Sequence, residues 1–214
     1  DYQLTSWNDY SIQIQDYTDL EIPQGVSTPD GNALTQMIDP YSYREKLTMP
    51  KIIFIGTNDE YWPIDAWLSY IKDIPGENYI HYTPNAGHNL DGAEKALKAL
   101  SAFWGQTLAK KSYNELEYDL ITDGTSATLS VNSNSKNLIA SYLWLADSDD
   151  RDFRDEKWDS TKIEVSNKGK VVEKILFPEN GFKAFYIDFE YEDLNGGTYT
   201  KSTRVYLTDD DEVL

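Results

Sequence analysis

Apolar residues are spaced in two different ways along the chain, and the change falls near residue 112. After it, short runs rich in β-branched and aromatic residues alternate with clusters of turn-forming residues. The runs predict strands near Glu115–Thr122, Thr125–Val131, Leu138–Leu145, Lys162–Val165, Val171–Phe177, Phe182–Tyr191 and Tyr199–Leu207. TDG, NSNS, DSDD, NKG, PENG and LNGG separate them, all of residues that tolerate turn geometry. This many strands in about 100 residues reads as a β-sandwich of the immunoglobulin or fibronectin III kind. Trp144 falls in the third strand, where such sandwiches bury a Trp. The absence of cysteine removes the disulfide that usually packs on it, which favours the fibronectin-like variant. Phe185 stands where a tyrosine corner would often have Tyr.

Before residue 112 the spacing is that of an α/β unit. Lys51–Gly56 (KIIFIG) is a continuous apolar run, entered by Pro50 and ending on Gly56, as a strand buried on both faces of a parallel sheet would read. A helix is expected at about Ile64–Lys72, then a short strand at Tyr79–Tyr82, then the loop TPNAGHNLDG. From Asp91 to Lys111 the apolar positions Ala93, Ala96, Leu97, Leu100, Phe103, Trp104 and Leu108 recur every three or four residues, which predicts one apolar face of a final helix. An acid opens that segment and lysines close it, as the macrodipole favours. Strand, helix, strand, helix is the alternation of a parallel sheet. Two strands cannot make a doubly covered sheet, so the rest of the sheet is expected outside these residues.

Charge and composition narrow the partners. The 214 residues carry a formal net charge of −18, and both a nucleic-acid backbone and an anionic membrane would repel such a surface. With 40% hydrophobic and 14% aromatic residues the chain has what a packed core requires. The lack of cysteine excludes disulfides, zinc-thiolate sites and a cysteine nucleophile. No apolar run is long enough to span a membrane, and the first residues lack the layout of a signal peptide. The chain starts at Asp1 rather than Met, from which a mature or truncated form is expected.

Two residues of the α/β unit are placed for chemistry. Asp59, in GTNDEYWP, lies just past the carboxyl end of the first strand, and His88, in PNAGHN, just past the second. Open α/β sheets build their sites at strand carboxyl ends, so both side chains can face one crevice. An acid that fixes an imidazole tautomer and a base that takes a hydroxyl proton form two thirds of a catalytic triad. Acid before histidine, about 30 residues apart, is the tail of the Ser…Asp…His order of α/β-hydrolases. No G-x-S-x-G elbow occurs: Ser27 and Ser69 lack the glycines, and Ser42 sits in PYSYRE. His81 reads as a packed or surface strand residue and Asp65 as the N-cap of the helix that follows it. Asp147, Asp149, Asp150 and Asp152 have the composition of a calcium loop without its central Gly and terminal Glu. They read instead as a solvated loop in which Arg151 and Arg154 pair with neighbouring acids. The terminal DDDE reads as a solubilising tail, and the aromatic residues as sandwich core before any glycan platform.

The stretch Met37–Leu90 resembles the PhoPQ-activated pathogenicity-related family. DPYSYREKLTMPK, the acid loop ending at Asp59, YWPID, IPGE at Ile74–Glu77 and PNAGH carry the resemblance, and Trp144, DRDFRDEKW and GFKAFYIDFEY extend it over roughly residues 35–208. The resemblance implies an α/β-hydrolase-like domain followed by a fibronectin-like sandwich, with Asp59 as triad acid and His88 as triad base. The expected fold class is therefore α/β plus all-β. Residues 1–112 are the C-terminal part of the hydrolase-like domain: lid segment 1–36, acid and histidine loops 50–92, final helix 91–111. Residues 113–214 are the sandwich. Pro23, Gly25, Pro29 and Gly31 mark a turn-rich exit from the lid. The family's nucleophile lies upstream, so this chain alone is expected to be inactive, a C-terminal portion of a secreted or periplasmic serine hydrolase-like protein of peptidase or esterase type. A non-catalytic extracellular signalling or binding protein is the second reading, and an adhesion or glycan-binding fragment the third. The expected partners are a small-molecule or peptide substrate, or a cell-surface receptor, together with the remaining N-terminal half of the hydrolase domain. No cofactor and no metal is assigned.

Overall fold

The structure is a computed structural model that describes residues 2–113, 115–133, 136–166 and 168–214. The N-terminal segment is a series of short helices: α1 (Tyr2–Trp7), α2 (Gln15–Asp19), α3 (Ile22–Gly25) and α4 (Pro29–Ile38). The expected turn-rich exit is therefore helical. Pro23 and Pro29 sit in first turns, where a missing N–H costs nothing, and Thr28 caps α4 by accepting from Gly31 N–H.

Strands β1 (Lys51–Gly56) and β2 (Asn78–Thr83) pair in parallel, with Ile53 opposite Ile80 and Gly56 opposite Thr83. Between them the expected helix is replaced by two short 3-10 turns, Ala66–Ser69 and Ile71–Asp73. Asp65 occupies the N-cap position but makes no capping bond; its Oδ2 instead accepts from Tyr2 and Arg151. The Trp67 indole is committed to the Tyr82 hydroxyl at 2.8 Å, which ties this segment down on β2.

The final helix is shorter than its sequence pattern suggests. Helix α5 spans Glu94–Leu108, and Leu90, Asp91 and Ala93 before it hold positive φ angles. Lys110 and Lys111 lie beyond its end. Its buried face is also different: Ala96, Ala99, Ala102, Phe103 and Gln106 pack inward, while Leu97, Leu100, Trp104 and Leu108 are exposed. Alanine lets the helix approach the strands beneath it closely, and only Phe103 enters the core as a large apolar side chain.

The strands beyond residue 115 form two antiparallel sheets. One joins β3 (Leu116–Thr122), β4 (Ser126–Ser133) and β7 (Lys170–Leu176). The other joins β5 (Leu138–Ser148), β6 (Asp159–Ile163), β8 (Phe182–Glu192), β9 (Thr198–Ser202) and β10 (Tyr206–Thr208). The expected strand Tyr199–Leu207 is thus two strands on one edge of β8. The pairing register changes by one residue between Ser202↔Asp188 and Tyr206↔Phe185. Thr203 spans the irregularity: its N–H donates to Ile187 O, and its hydroxyl accepts Ile187 N–H.

Both sheets contribute to one core: Leu129, Val131, Val171 and Ile175 meet Leu143, Phe185, Ile187 and Phe189. The opposite face of the larger sheet is also covered. Ala146, Ala184 and Tyr186 join Ile64, Trp67, Ile80 and Tyr82 of the α/β unit, with Phe153 and Trp158, in a second core. Trp144 belongs to this outer face. It is half-buried, stacks on Tyr186 and carries Lys95 over its ring, so it is not the inter-sheet tryptophan expected from its strand. Trp158, in the loop after β5, is the fully buried one.

Candidate functional site

The ends of β1 and β2 are laid side by side by their loops. Thr57 N–H donates to Thr83 O and Asn58 N–H to Ala86 O, so the acid loop and the histidine loop run as one extension of the parallel pair. A Cβ at Gly56 would come within 2.3 Å of the carbonyl oxygens of Ala86 and Gly87, and one at Gly87 within 2.6 Å of Glu60 Oε2. Gly56 is what allows the two backbones to come this close, whereas the contact at Gly87 is with the end of a flexible side chain.

Asp59 and His88 meet there, with Oδ2 2.8 Å from Nδ1. The other carboxylate oxygen of Asp59 accepts from the N–H groups of Tyr61 and Trp62 at 2.8 and 3.1 Å. Both oxygens are occupied and the Asp59 side chain is only 9% exposed, whereas that of His88 is 54% exposed. An acceptor oxygen on Nδ1 selects the tautomer that carries its proton there, which leaves Nε2 as the basic nitrogen. Nε2 makes no hydrogen bond to any described residue.

Neighbouring groups hold the histidine from two more sides. Glu60 accepts the His88 backbone N–H at 2.9 Å, and that bond lowers its carboxyl pKa. The Tyr61 ring lies 4.6 Å from the imidazole, tilted by 44°. The acid loop is pinned in turn by the N-terminal segment, where the Gln3 side chain donates to Tyr61 O and the Ser11 hydroxyl to Glu60 O. A cavity of about 360 Å³ opens beside the pair, walled by Tyr2, Ile53, Ile55, Trp62, Trp67 and Tyr70.

The remaining residues that stand out in the sequence have other surroundings. His81 is fully buried; desolvation lowers its pKa to about 4, and it has no part in the pair. Arg151 reaches Asp65 at 2.8 Å rather than a neighbouring acid, and Tyr2 shares that carboxylate, its pKa pushed up to about 12 chiefly by burial. Arg154 does pair locally, with Asp152, and lies 4.0 Å over the Trp7 ring. Asp147 faces Lys183 at 3.4 Å, and Asp150 accepts Asp152 N–H. Among the described residues no group of three acids or histidines is arranged to hold a metal ion. No helix among them is long and apolar enough to cross a membrane. Glu60, Tyr61, Gln3 and Ser11 carry no sequence signal of their own, although Glu60 and Tyr61 directly follow Asp59 in the acid loop.

Comparison with known proteins bears on the same residues. The family model described as PhoPQ-activated pathogenicity-related protein matches residues 1–154. Autocrine proliferation repressor protein A of Dictyostelium discoideum is 21% identical over 212 residues, covering 89% of this chain and 43% of the relative. The chain thus spans less than half the length of that relative. Among solved structures, the putative ApaA protein of Bordetella pertussis matches with a TM-score of 0.29 at 8% identity, covering 45% of this chain and 91% of the other. OgpA of Akkermansia muciniphila, solved in complex with an O-glycopeptide, matches with a TM-score of 0.26 at 19% identity, covering 48% of this chain and 31% of the other. Likeness at that level carries no argument about fold.

Proposed function

Because the chain belongs to the PhoPQ-activated pathogenicity-related family, we propose that it supplies the acid and the base of a serine hydrolase-like active site of peptidase or esterase type. The observation that carries the reading is the Asp59–His88 contact at 2.8 Å, with the imidazole half-exposed and the carboxylate saturated. In this reading His88 Nε2 takes the proton of a serine hydroxyl as that oxygen attacks the carbonyl carbon of the substrate. It then gives the proton to the leaving group, and Asp59 stabilises the imidazolium between the two transfers. The serine and its oxyanion hole come from outside these residues, on an α/β-hydrolase-like sheet that β1 and β2 extend, and the two antiparallel sheets form a fibronectin-like sandwich. The protein acts outside the cytoplasm, on a small-molecule or peptide substrate. A longer chain that includes the upstream sequence should react with a fluorophosphonate probe, and His88→Ala should abolish the reaction. Undiminished labelling of that variant would overturn the assignment.

A second reading is favoured by the Dictyostelium relative, a proliferation repressor by name. The protein would then be an extracellular signal or receptor ligand that keeps a hydrolase fold without its chemistry. Full activity of the His88→Ala protein in a cell-proliferation assay would decide for it.

A further inference from the structure

We propose that Asn58 and Asn85 are positioning residues through which the loop at 150–158, rooted in the larger antiparallel sheet, holds the Asp59–His88 pair in register. The chemical role of that pair rests on the reading above; the positioning itself rests on geometry. Asn58 immediately precedes Asp59, and its side-chain amide donates to the carbonyl oxygens of Phe153, Arg154 and Glu156 at 3.2, 3.1 and 2.7 Å. Asn85 lies in the histidine loop and makes a two-way clasp with Trp158. Its amide donates to Trp158 O at 2.9 Å, and its oxygen accepts Trp158 N–H at 2.8 Å.

Thr57 joins the two. Its hydroxyl accepts Asn85 N–H at 2.7 Å and donates to Asn58 Oδ1 at 2.8 Å. A continuous polar chain therefore runs from Trp158 through Asn85, Thr57 and Asn58 to the carbonyls of the same loop. Asparagine suits both positions chemically, since each needs a donor and an acceptor on one short side chain. Asn85 also holds a φ of +56°, in the left-handed region that Asn tolerates better than most residues.

The loop at the far end of this chain is firmly anchored. Phe153 and Trp158 are buried in the second core, and the Trp158 ring packs 5.5 Å from Tyr186 of β8. Removing the Asn58 amide would take its donor from three part-buried carbonyl oxygens of the loop, a cost to acceptors with reduced access to water. The loop and the pair therefore form one hydrogen-bonded unit. Positions within that unit matter to a fraction of an ångström, because an imidazole that drifts from its acceptor loses the tautomer preference the acceptor imposes.

Long-range nitrogen–proton NMR on the histidine rings tests this in the chain as it stands. The sequence has only two histidines, and buried His81 serves as an internal reference. Under alkaline conditions, wild-type His88 should carry its proton on Nδ1, whereas a free imidazole prefers Nε2. Asn58→Asp and Asn85→Ala should each lower the Nδ1–H population several-fold while the His81 pattern stays as it was. Ser133→Ala, which breaks a buried bond to Tyr191 in the antiparallel sheets, should leave the His88 tautomer unchanged even as it lowers stability. If either asparagine variant also loses the His81 pattern, Thr57→Val, which removes only the joining hydroxyl, takes its place and should shift the tautomer in the same direction. A wild-type His88 without the Nδ1–H form would overturn the pair itself. A wild-type His88 with that form, kept intact in the variants that fold, would overturn the positioning role alone.

Discussion

β8 and the segment from Ile12 to Met49 are built on opposite principles. β8 is buried on both faces: Phe185, Ile187, Phe189 and Tyr191 point into the inter-sheet core, while Ala184 and Tyr186 point into the core shared with the α/β unit. Helices α2, α3 and α4 bury no residue at all, and Ile12, Leu20, Ile22, Val26, Leu34, Met37, Ile38 and Met49 are exposed. β8 is the richer in apolar residues, 7 of 11 against 14 of 38, but that ratio does not explain why none of the segment's 14 is buried. What separates them is whether each apolar side chain has a second surface to meet, since burial rather than composition supplies the stabilisation. The pair at Asp59 and His88 lies between these extremes, its acid loop tied to Gln3 and Ser11 on one side and to the loop at 150–158 on the other.

The largest effect that separates the regions is expected at Trp158. Trp158→Ala should lower unfolding stability by about 3–5 kcal/mol in urea titrations, the range for truncating a fully buried large aromatic. Asp65→Asn comes next. It removes the carboxylate shared by Tyr2 and Arg151, which joins the N-terminal segment to the rest, and should cost about 1.5–3 kcal/mol, as the loss of hydrogen bonds to a charged group does. Leu34→Ser, on exposed α4, should change stability by no more than about 0.5 kcal/mol. A loss at Leu34 equal to that at Trp158 would erase the contrast.

A subtler test uses pH. His81, its folded pKa lowered to about 4 by desolvation from 6.5, binds fewer protons folded than unfolded between those values, so it makes stability rise as pH rises through them. Asp188 on β8 has the opposite sign. Desolvation raises its pKa from 3.8 to about 6, against the bond from Ser202, so it binds more protons folded and its contribution is lost as pH rises through that window. Asp188→Asn should therefore make stability climb more steeply with pH between about 4 and 6, read as urea midpoints at several pH values. An unchanged slope would contradict the burial of that carboxylate.

Legibility in the sequence follows how local the cause is. Alternation in the strands and the apolar run of β1 depend on neighbours two residues away, and most of those elements lie near where the pattern puts them; β6, at Asp159–Ile163 rather than Lys162–Val165, and the last strand, divided into β9 and β10, do not. Trp144 faces the other way from its expected place because β5 is covered on both sides, and alternation alone cannot tell one buried face from the other. The periodicity of α5 weighs Leu97 and Trp104 above Ala96, Ala99 and Ala102, whereas the fold needs close approach and buries the small residues. Asp59 and His88 stand out through their position after strands. Asn58 and Asn85 do not, because their partners are main-chain atoms of residues 153–158, far along the chain and without a sequence pattern of their own.

Whether Asp59 makes His88 a base for acyl transfer is measured most directly by the rate at which a longer chain, containing the upstream sequence, reacts with a fluorophosphonate, with Asp59 and with Asn in its place. Asp59→Asn should slow the reaction by about 10³-fold or more, since the amide favours the wrong imidazole tautomer while keeping the shape of the site. A fall of less than about tenfold in a folded variant would contradict that role.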